Sequence, residues 1–156
     1  MDRSTRRTLL KWAFPLVLAC LAVLGSPKSA KADNESAIAG SLSTHLVPCA
    51  TLCTSGTISG SLSGSFDYTM ASMTATADPN VFILTGSFVV VTLAGSVTAN
   101  DTTLWDVSTG VFTDMGRFTG GSGAYSGAAG KIVIVGVFDI VAGTGQSTYT
   151  GKIETP

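Results

Sequence analysis

The sequence predicts an all-β fold for the part of the chain that follows an N-terminal leader. One long run alternates between apolar and small or polar residues, two other runs carry apolar residues on both faces, and Gly, Ser and Thr separate them. Beyond the leader, no run of the sequence places apolar residues at the 3.6-residue spacing of a helix. These observations predict seven or eight strands, which need either two packed sheets or closure into a barrel.

Residues 1–32 are interpreted as an export signal peptide. They contain a basic start, an apolar run from Trp12 to Leu24, and the small-residue site Ala30-Lys31-Ala32. The apolar run is shorter than the roughly 20 residues that span a bilayer. The leader therefore predicts a secreted or periplasmic protein with no stable membrane anchor after cleavage. The segment Thr5–Lys11 resembles a twin-arginine signal. An ordinary secretory peptide and a lipoprotein modified at Cys20 are the alternatives.

The charge balance changes once the leader is removed. Residues 33–156 hold three basic and nine acidic side chains, a net charge of −6. Three cations form no basic patch, which argues against nucleic acid and anionic membrane surfaces as partners.

Cys49 and Cys53 form an even pair in a chain predicted to reach an oxidising compartment, so a disulfide is expected. In an extended strand they would lie roughly 13 Å apart, beyond the ~7 Å limit, so the segment must turn, and Pro48 favours a turn. A metal site with His45 or a redox role are weaker alternatives, and no metal or cofactor is predicted. Residues 33–56 are interpreted as a polar, irregular N-terminal arm that carries this disulfide.

The strands are predicted in order from residue 57 onward. From Ile58 to Met70 the even positions are apolar or glycine and the odd positions polar, which predicts one strand with a buried and a wet face. The runs Val81–Leu93, bent at Thr85-Gly86-Ser87, and Lys131–Val141 are apolar on both faces, so both faces are expected to be covered. The last strand, Ser147–Ile153, alternates again.

The segment Gly120–Gly130, followed by an apolar strand and by Tyr149-Thr150-Gly151-Lys152-Ile153, resembles the allene oxide cyclase and dirigent barrel superfamily, and secreted bacterial members in particular. The resemblance implies an eight-stranded antiparallel β-barrel over residues 57–156 with an apolar cavity, and an oligomer as in plant members. Where plant dirigent proteins carry Ala-Arg-Gly, this chain has Ala128-Ala129-Gly130, so an arginine that would contact substrate is absent.

Five aromatic side chains are the candidates for a ligand-binding cavity, with the tyrosine hydroxyls orienting the ligand. The alternative is that they fill the barrel. They are Phe66, Tyr68, Phe88, Phe138 and Tyr149.

Asp139 is the weak catalytic candidate. It interrupts an apolar face, and an inward side chain would be a buried acid suited to proton transfer, whereas an outward one would be a solvent or subunit-contact residue.

Asp67 is expected to be exposed to solvent. Asp101, Asp106 and Asp114 could in principle bind calcium, but solvated hairpin positions are preferred for them. Arg117 either pairs with Asp114 or caps the barrel mouth.

These observations favour an exported barrel that encloses a small hydrophobic molecule without catalysis. A cyclase or isomerase of the allene oxide cyclase type, which would use Asp139 or a tyrosine for proton transfer, is one alternative. A structural envelope protein that self-associates through its doubly apolar strands is the other. A binder or enzyme needs an open cavity, whereas a structural barrel is packed to normal core density.

Overall fold

The structure is a computed structural model that describes residues 34–156, so the predicted signal peptide at residues 1–32 lies outside the described residues. Eight antiparallel strands form one closed barrel in chain order, and pairing of the first strand with the last closes it. The strands are β1 (Asn34–Val47), β2 (Cys53–Gly60), β3 (Gly64–Ala75), β4 (Val81–Thr92), β5 (Gly95–Asp106), β6 (Val111–Gly121), β7 (Ala129–Asp139) and β8 (Thr144–Thr155). The predicted all-β, eight-stranded antiparallel barrel is confirmed.

The polar segment interpreted as an arm is a strand of the barrel, so that interpretation is wrong. β1 pairs with β2 on one side and with β8 on the other, and Ile38 and Leu42 point into the core. Its remaining positions are mostly small or polar, because they face solvent or crowded parts of the interior. A strand with only two large inward side chains has too few apolar positions to show alternation.

The run from Ile58 to Met70 is a hairpin and not one strand. β2 ends at Gly60, β3 begins at Gly64, and Ile58 pairs with Gly64. Because both pairing partners are even-numbered, the even residues point inward on both strands, and the predicted buried face is correct. The alternation therefore continues through the turn, so the pattern alone does not show where the turn lies.

The two doubly apolar runs have only their inner faces covered within the described chain. On β7 the inward residues Ile132 and Ile134 are buried, whereas Val133, Val135 and Val137 are 39% to 49% exposed. The expectation that both faces are covered is not met by residues 34–156. The predicted bend at Gly86 does not interrupt β4, which is continuous. The bulge lies on the paired strand β3, between Met70 and Ser72.

The glycine segment that carries the family resemblance connects β6 to β7. It contains one short 3-10 turn, Gly123–Tyr125. Gly123 and Gly127 have φ angles of 60° and 72°, in the left-handed region that other residues rarely adopt. The glycines are therefore required by the backbone path of this connection.

The barrel interior is packed differently at its two ends. At the end that holds the β2–β3 and β6–β7 connections, a continuous cluster that includes Phe88, Tyr149 and Leu62 fills the space. A smaller cluster of Leu84, Trp105 and Phe138 occupies the other end, beside the disulfide. No helix within residues 34–156 has the length and hydropathy needed to cross a membrane.

Candidate functional site

A cavity of about 80 Å³ lies inside the barrel at the disulfide end. Side chains from all eight strands or their connections surround it, and most of them are apolar or aromatic. Thr44, Leu52, Tyr68, Phe112 and Ser147 keep partial exposure, so solvent reaches the cavity from this end. The lining residues are Leu42, Thr44, Leu52, Thr54, Phe66, Tyr68, Leu84, Thr103, Trp105, Phe112, Asp114, Ile134, Phe138 and Ser147.

Three of the five aromatic candidates line the cavity, namely Phe66, Tyr68 and Phe138. Phe88 and Tyr149 do not, because they are among the most deeply buried side chains of the filled end. The interior is thus filled at one end and hollow at the other, and the aromatic candidates divide between the two.

Tyr149 closes the filled end of the barrel. Its hydroxyl accepts a hydrogen bond from the Leu62 backbone N–H at 2.8 Å and donates to the Leu62 carbonyl at 3.3 Å. Both partners are buried, so the hydroxyl has no free capacity to orient a ligand. Its function is to hold the β2–β3 connection over the core.

The Tyr68 side chain packs over the neighbouring strand β4, against Gly86. A Cβ at Gly86 would come within 2.6 Å of the Tyr68 ring, so no larger residue fits at that position. Gly86 pairs with Asp101 of the next strand, and the ring therefore reaches toward that aspartate. The apparent break at Gly86 in the sequence is the site where Tyr68 packs.

Two buried aspartates stand beside Tyr68, and the preference for solvated hairpin positions is wrong for both. Asp101 on β5 is 6% exposed and Asp114 on β6 is 5% exposed. Thr103 pairs with Asp114, so the aspartates are diagonal neighbours on one inner face, where their side chains reach each other.

The same period-two alternation that identified the other strands could have found these aspartates. Asp101 shares its parity with Val97, Ala99 and Trp105, which are all buried. Asp114 likewise shares its parity with Phe118, which points inward. The parity indicates that both aspartates are buried, whereas the expectation that carboxylates are solvated places them at exposed positions.

The electrostatics of the aspartate pair follow from its burial. Burial and, to a smaller extent, the neighbouring Asp101 carboxyl together raise the pKa of Asp114 to about 9. Burial also raises the pKa of Asp101, and the proximity of the Asp114 carboxyl and of the backbone at Gly86 and Asp101 offsets that rise only in part. The two carboxyls therefore retain at least one proton at neutral pH and form a coupled pair.

Tyr68 responds to the same environment. Burial raises the pKa of its hydroxyl, and the Asp101 and Asp114 carboxyls raise it further, which places the hydroxyl close to both acids. The phenol stays protonated and can donate or accept a hydrogen bond.

Several buried polar atoms on the cavity wall, or beside it in the case of Asp101, have no hydrogen-bond partner among the described residues. Buried polar atoms are paired in almost all protein interiors, so these atoms have hydrogen-bonding capacity that protein groups do not use. The atoms are Tyr68 Oη, Trp105 Nε1, Asp114 Oδ1 and both carboxyl oxygens of Asp101.

The predicted Cys49–Cys53 disulfide is present and lies at the cavity mouth, with a Cα–Cα distance of 6.0 Å. Leu52, within the ring that it closes, lines the cavity. The Met70 backbone N–H donates to the Leu52 carbonyl at 2.9 Å, which ties the ring to β3. The disulfide thus shapes one side of the opening.

Asp139 lies outside the cavity, which corresponds to the outward alternative. It is exposed at the end of β7, and its Oδ1 accepts hydrogen bonds from the backbone N–H groups of Val141 and Ala142 at 2.9 Å. It therefore caps the β7–β8 turn. Asp67 is exposed on β3, as predicted.

The remaining charged candidates are also separated from the cavity. Arg117 is exposed on the opposite face of β6 from Asp114, so the two do not pair. Asp106 accepts hydrogen bonds from Ser108 in the β5–β6 turn, which lower its pKa. It is not beside the other two aspartates, and residues 34–156 contain no group of three metal-ligating side chains.

Comparison with known proteins returns no family model, no curated protein and no solved structure that matches this chain.

Proposed function

We propose that this barrel binds a small, mainly apolar molecule in the cavity at its disulfide end. The observation that carries the proposal is an aromatic cavity whose lining includes three side chains with buried, unpartnered polar atoms, Tyr68, Trp105 and Asp114. Phe66 and Phe138 supply apolar contact, and Tyr68 supplies a hydroxyl that orients the ligand. The resemblance to allene oxide cyclase and dirigent barrels supports the same reading, and export remains a prediction from residues 1–32.

The size of the cavity limits what it can enclose. A water molecule needs roughly 10–15 Å³ of this kind of volume, so about 80 Å³ accommodates roughly six water-sized groups. The enclosed part of a ligand is therefore about the size of one small ring. A longer molecule would extend past Leu52 through the mouth.

The proposal is tested by native mass spectrometry of protein purified from its host, with extraction and identification of any bound molecule. A Ser147→Phe variant places a ring in the cavity, whereas Thr148→Phe makes a similar change on the outer face of the same strand. We expect the first variant to lose the ligand and the second to retain it. Failure of the wild-type protein to retain any molecule, or to take up small apolar probes, contradicts the proposal.

The aspartate pair favours a second candidate function, an isomerase or cyclase. Asp114 and Tyr68 line the cavity, and Asp101 is the diagonal neighbour of Asp114. Carboxyls with raised pKa values are suited to proton transfer near neutral pH. Asp139, the earlier candidate, would have no part in it. The test is deuterium incorporation from heavy water into the extracted ligand. Incorporation that Asp114→Asn abolishes and Asp67→Asn leaves intact supports catalysis, and its absence in the wild-type protein contradicts it.

The exposed valines of β7 support a self-associating structural protein as a third candidate. Val133 pairs with exposed Met115 and Val137 with exposed Val111, so the apolar outer surface continues across β6 and β7. An exposed apolar sheet face of this kind is typical of contact with another protein surface. Self-association is compatible with binding, since the cavity opens at the barrel end and not through this wall.

A further inference from the structure

We infer that the cavity selects a small organic cation, a protonated amine on a ring-sized apolar body, and that the Asp101–Asp114 carboxyl pair recognises its nitrogen. This inference rests on the proposed binding function and names the ligand class. It follows from the charge, the hydrogen-bonding capacity and the aromatic surroundings of the cavity wall.

The first argument is that the pair lacks a compensating cation. The basic residues of the described chain are Arg117, Lys131 and Lys152, which are all exposed on the outer surface, and Lys152 already pairs with Glu35 at 2.6 Å. His45 is exposed on β1. Without a nearby cation the pair avoids a buried charge by retaining a proton, and a ligand that brings a positive charge allows that proton to be released.

The second argument is the excess of acceptors. Three of the five unpartnered buried atoms are carboxyl oxygens of Asp101 and Asp114, and the Tyr68 hydroxyl can also accept. An ammonium group offers two or three N–H donors and no acceptor, whereas a carboxylate or phosphate offers only acceptors. An amine can therefore pair with Asp114 Oδ1 at the cavity wall, whereas an anion would meet no positively charged side chain of residues 34–156 there.

The third argument is independent of the acids. Trp105 is 6% exposed and lines the cavity. Its ring and those of Phe66, Phe112 and Phe138 border the same space. Aromatic faces attract cations, and a cation enclosed by several rings is the arrangement that proteins use for ammonium ligands.

The experiment compares three probes of similar size and different charge: cyclopentylamine, cyclopentanol and isobutyrate. At pH 7.5 the amine is protonated, because alkyl ammonium groups titrate near pH 10. Affinity for the wild-type protein is measured by calorimetry or by ligand-observed NMR. We expect the amine to bind at least tenfold more tightly than the alcohol, and isobutyrate not to bind.

Variants then assign the preference to the acid pair. Asp114→Asn and Asp101→Asn are each expected to reduce the amine-to-alcohol ratio to less than about threefold, while binding of the alcohol is retained. Asp67→Asn, which removes an exposed carboxyl on the outer face of β3, leaves the ratio unchanged. Alcohol binding by each variant shows that its cavity is intact.

The outcomes separate this inference from the proposed function. Equal affinity for amine and alcohol overturns the inference and leaves a binding barrel. An amine preference that survives both aspartate variants also overturns it, because the pair would not be the recognition element. No binding of any probe, including larger apolar ones, overturns both.

Discussion

Replacement of Asp114 by asparagine tests the buried aspartate pair through the pH dependence of stability. The pKa of Asp114 is about 9 in the folded chain and 3.8 as a reference for the unfolded chain. The folded state therefore holds a proton that the unfolded state releases above about pH 4. Its contribution to stability is fully present below that pH and is lost as the pH rises toward 9.

The magnitude follows from proton linkage. One pKa unit corresponds to ~1.4 kcal/mol, so the three pH units from 5 to 8 are worth up to ~4 kcal/mol for a single proton. Asparagine has nearly the same shape, stays neutral, and its amide can donate to the Asp101 carboxyl. We expect the free energy of unfolding of the wild-type protein to fall by up to that amount between pH 5 and pH 8, and that of the variant to change much less.

The assay is urea unfolding of residues 33–156 at several pH values, with the linear extrapolation to water. Asp67→Asn is the control, because it removes an exposed carboxyl from the outer face of the neighbouring strand β3. The control should keep the wild-type slope with pH. A wild-type stability that is constant between pH 5 and 8, or a variant whose curve parallels it, would refute the reasoning.

Three other predictions concern the ends and the outer face of the barrel. Tyr149→Phe should lower the free energy of unfolding by about 1–3 kcal/mol, because it leaves the buried Leu62 N–H without its acceptor; thermal unfolding that matches the wild-type protein would contradict this. Replacement of Cys49 and Cys53 by serine should cost about 2 kcal/mol, since a ring this small restricts the unfolded chain only modestly; denaturant unfolding with the reduced wild-type protein as control measures it. Val135→Lys should convert an oligomer to a monomer in sedimentation velocity if the apolar face of β7 mediates self-association; an oligomer that persists excludes this face as the contact.

Strand positions and inner faces could be predicted where a strand carries large inward residues. The even parity of the Ile58–Met70 run correctly assigned Phe66 and Tyr68 to the interior. The hairpin within it was missed because its connection, Ser61-Leu62-Ser63, has no Asn, Asp, Pro or Gly of its own and its pairing conserves parity. β1 could not be predicted because it has few large inward side chains: at Gly40, the Tyr149 ring occupies the space that a side chain would fill.

The cavity and its acids depend on distances around the barrel, which one strand cannot show. Phe88 and Tyr149 point inward like the residues that line the cavity. They differ only in their position along the barrel axis, which places them at the filled end. The burial of Asp101 and Asp114 was readable from alternation, but their proximity to each other and to Tyr68 arises from the strand register and from Gly86.

The β1–β8 ladder that closes the barrel also determines how the chain can fold. Ile38 pairs with Gly151, so the contact that completes the sheet joins residues more than one hundred positions apart. Ladders between distant segments form late and slowly, because loop-closure entropy must be lost before the pairing stabilises the chain. Until β8 has been synthesised, β1 and β7 are both open edges that can pair with other chains. The last twelve-residue strand is therefore the step that protects the newly made protein from aggregation.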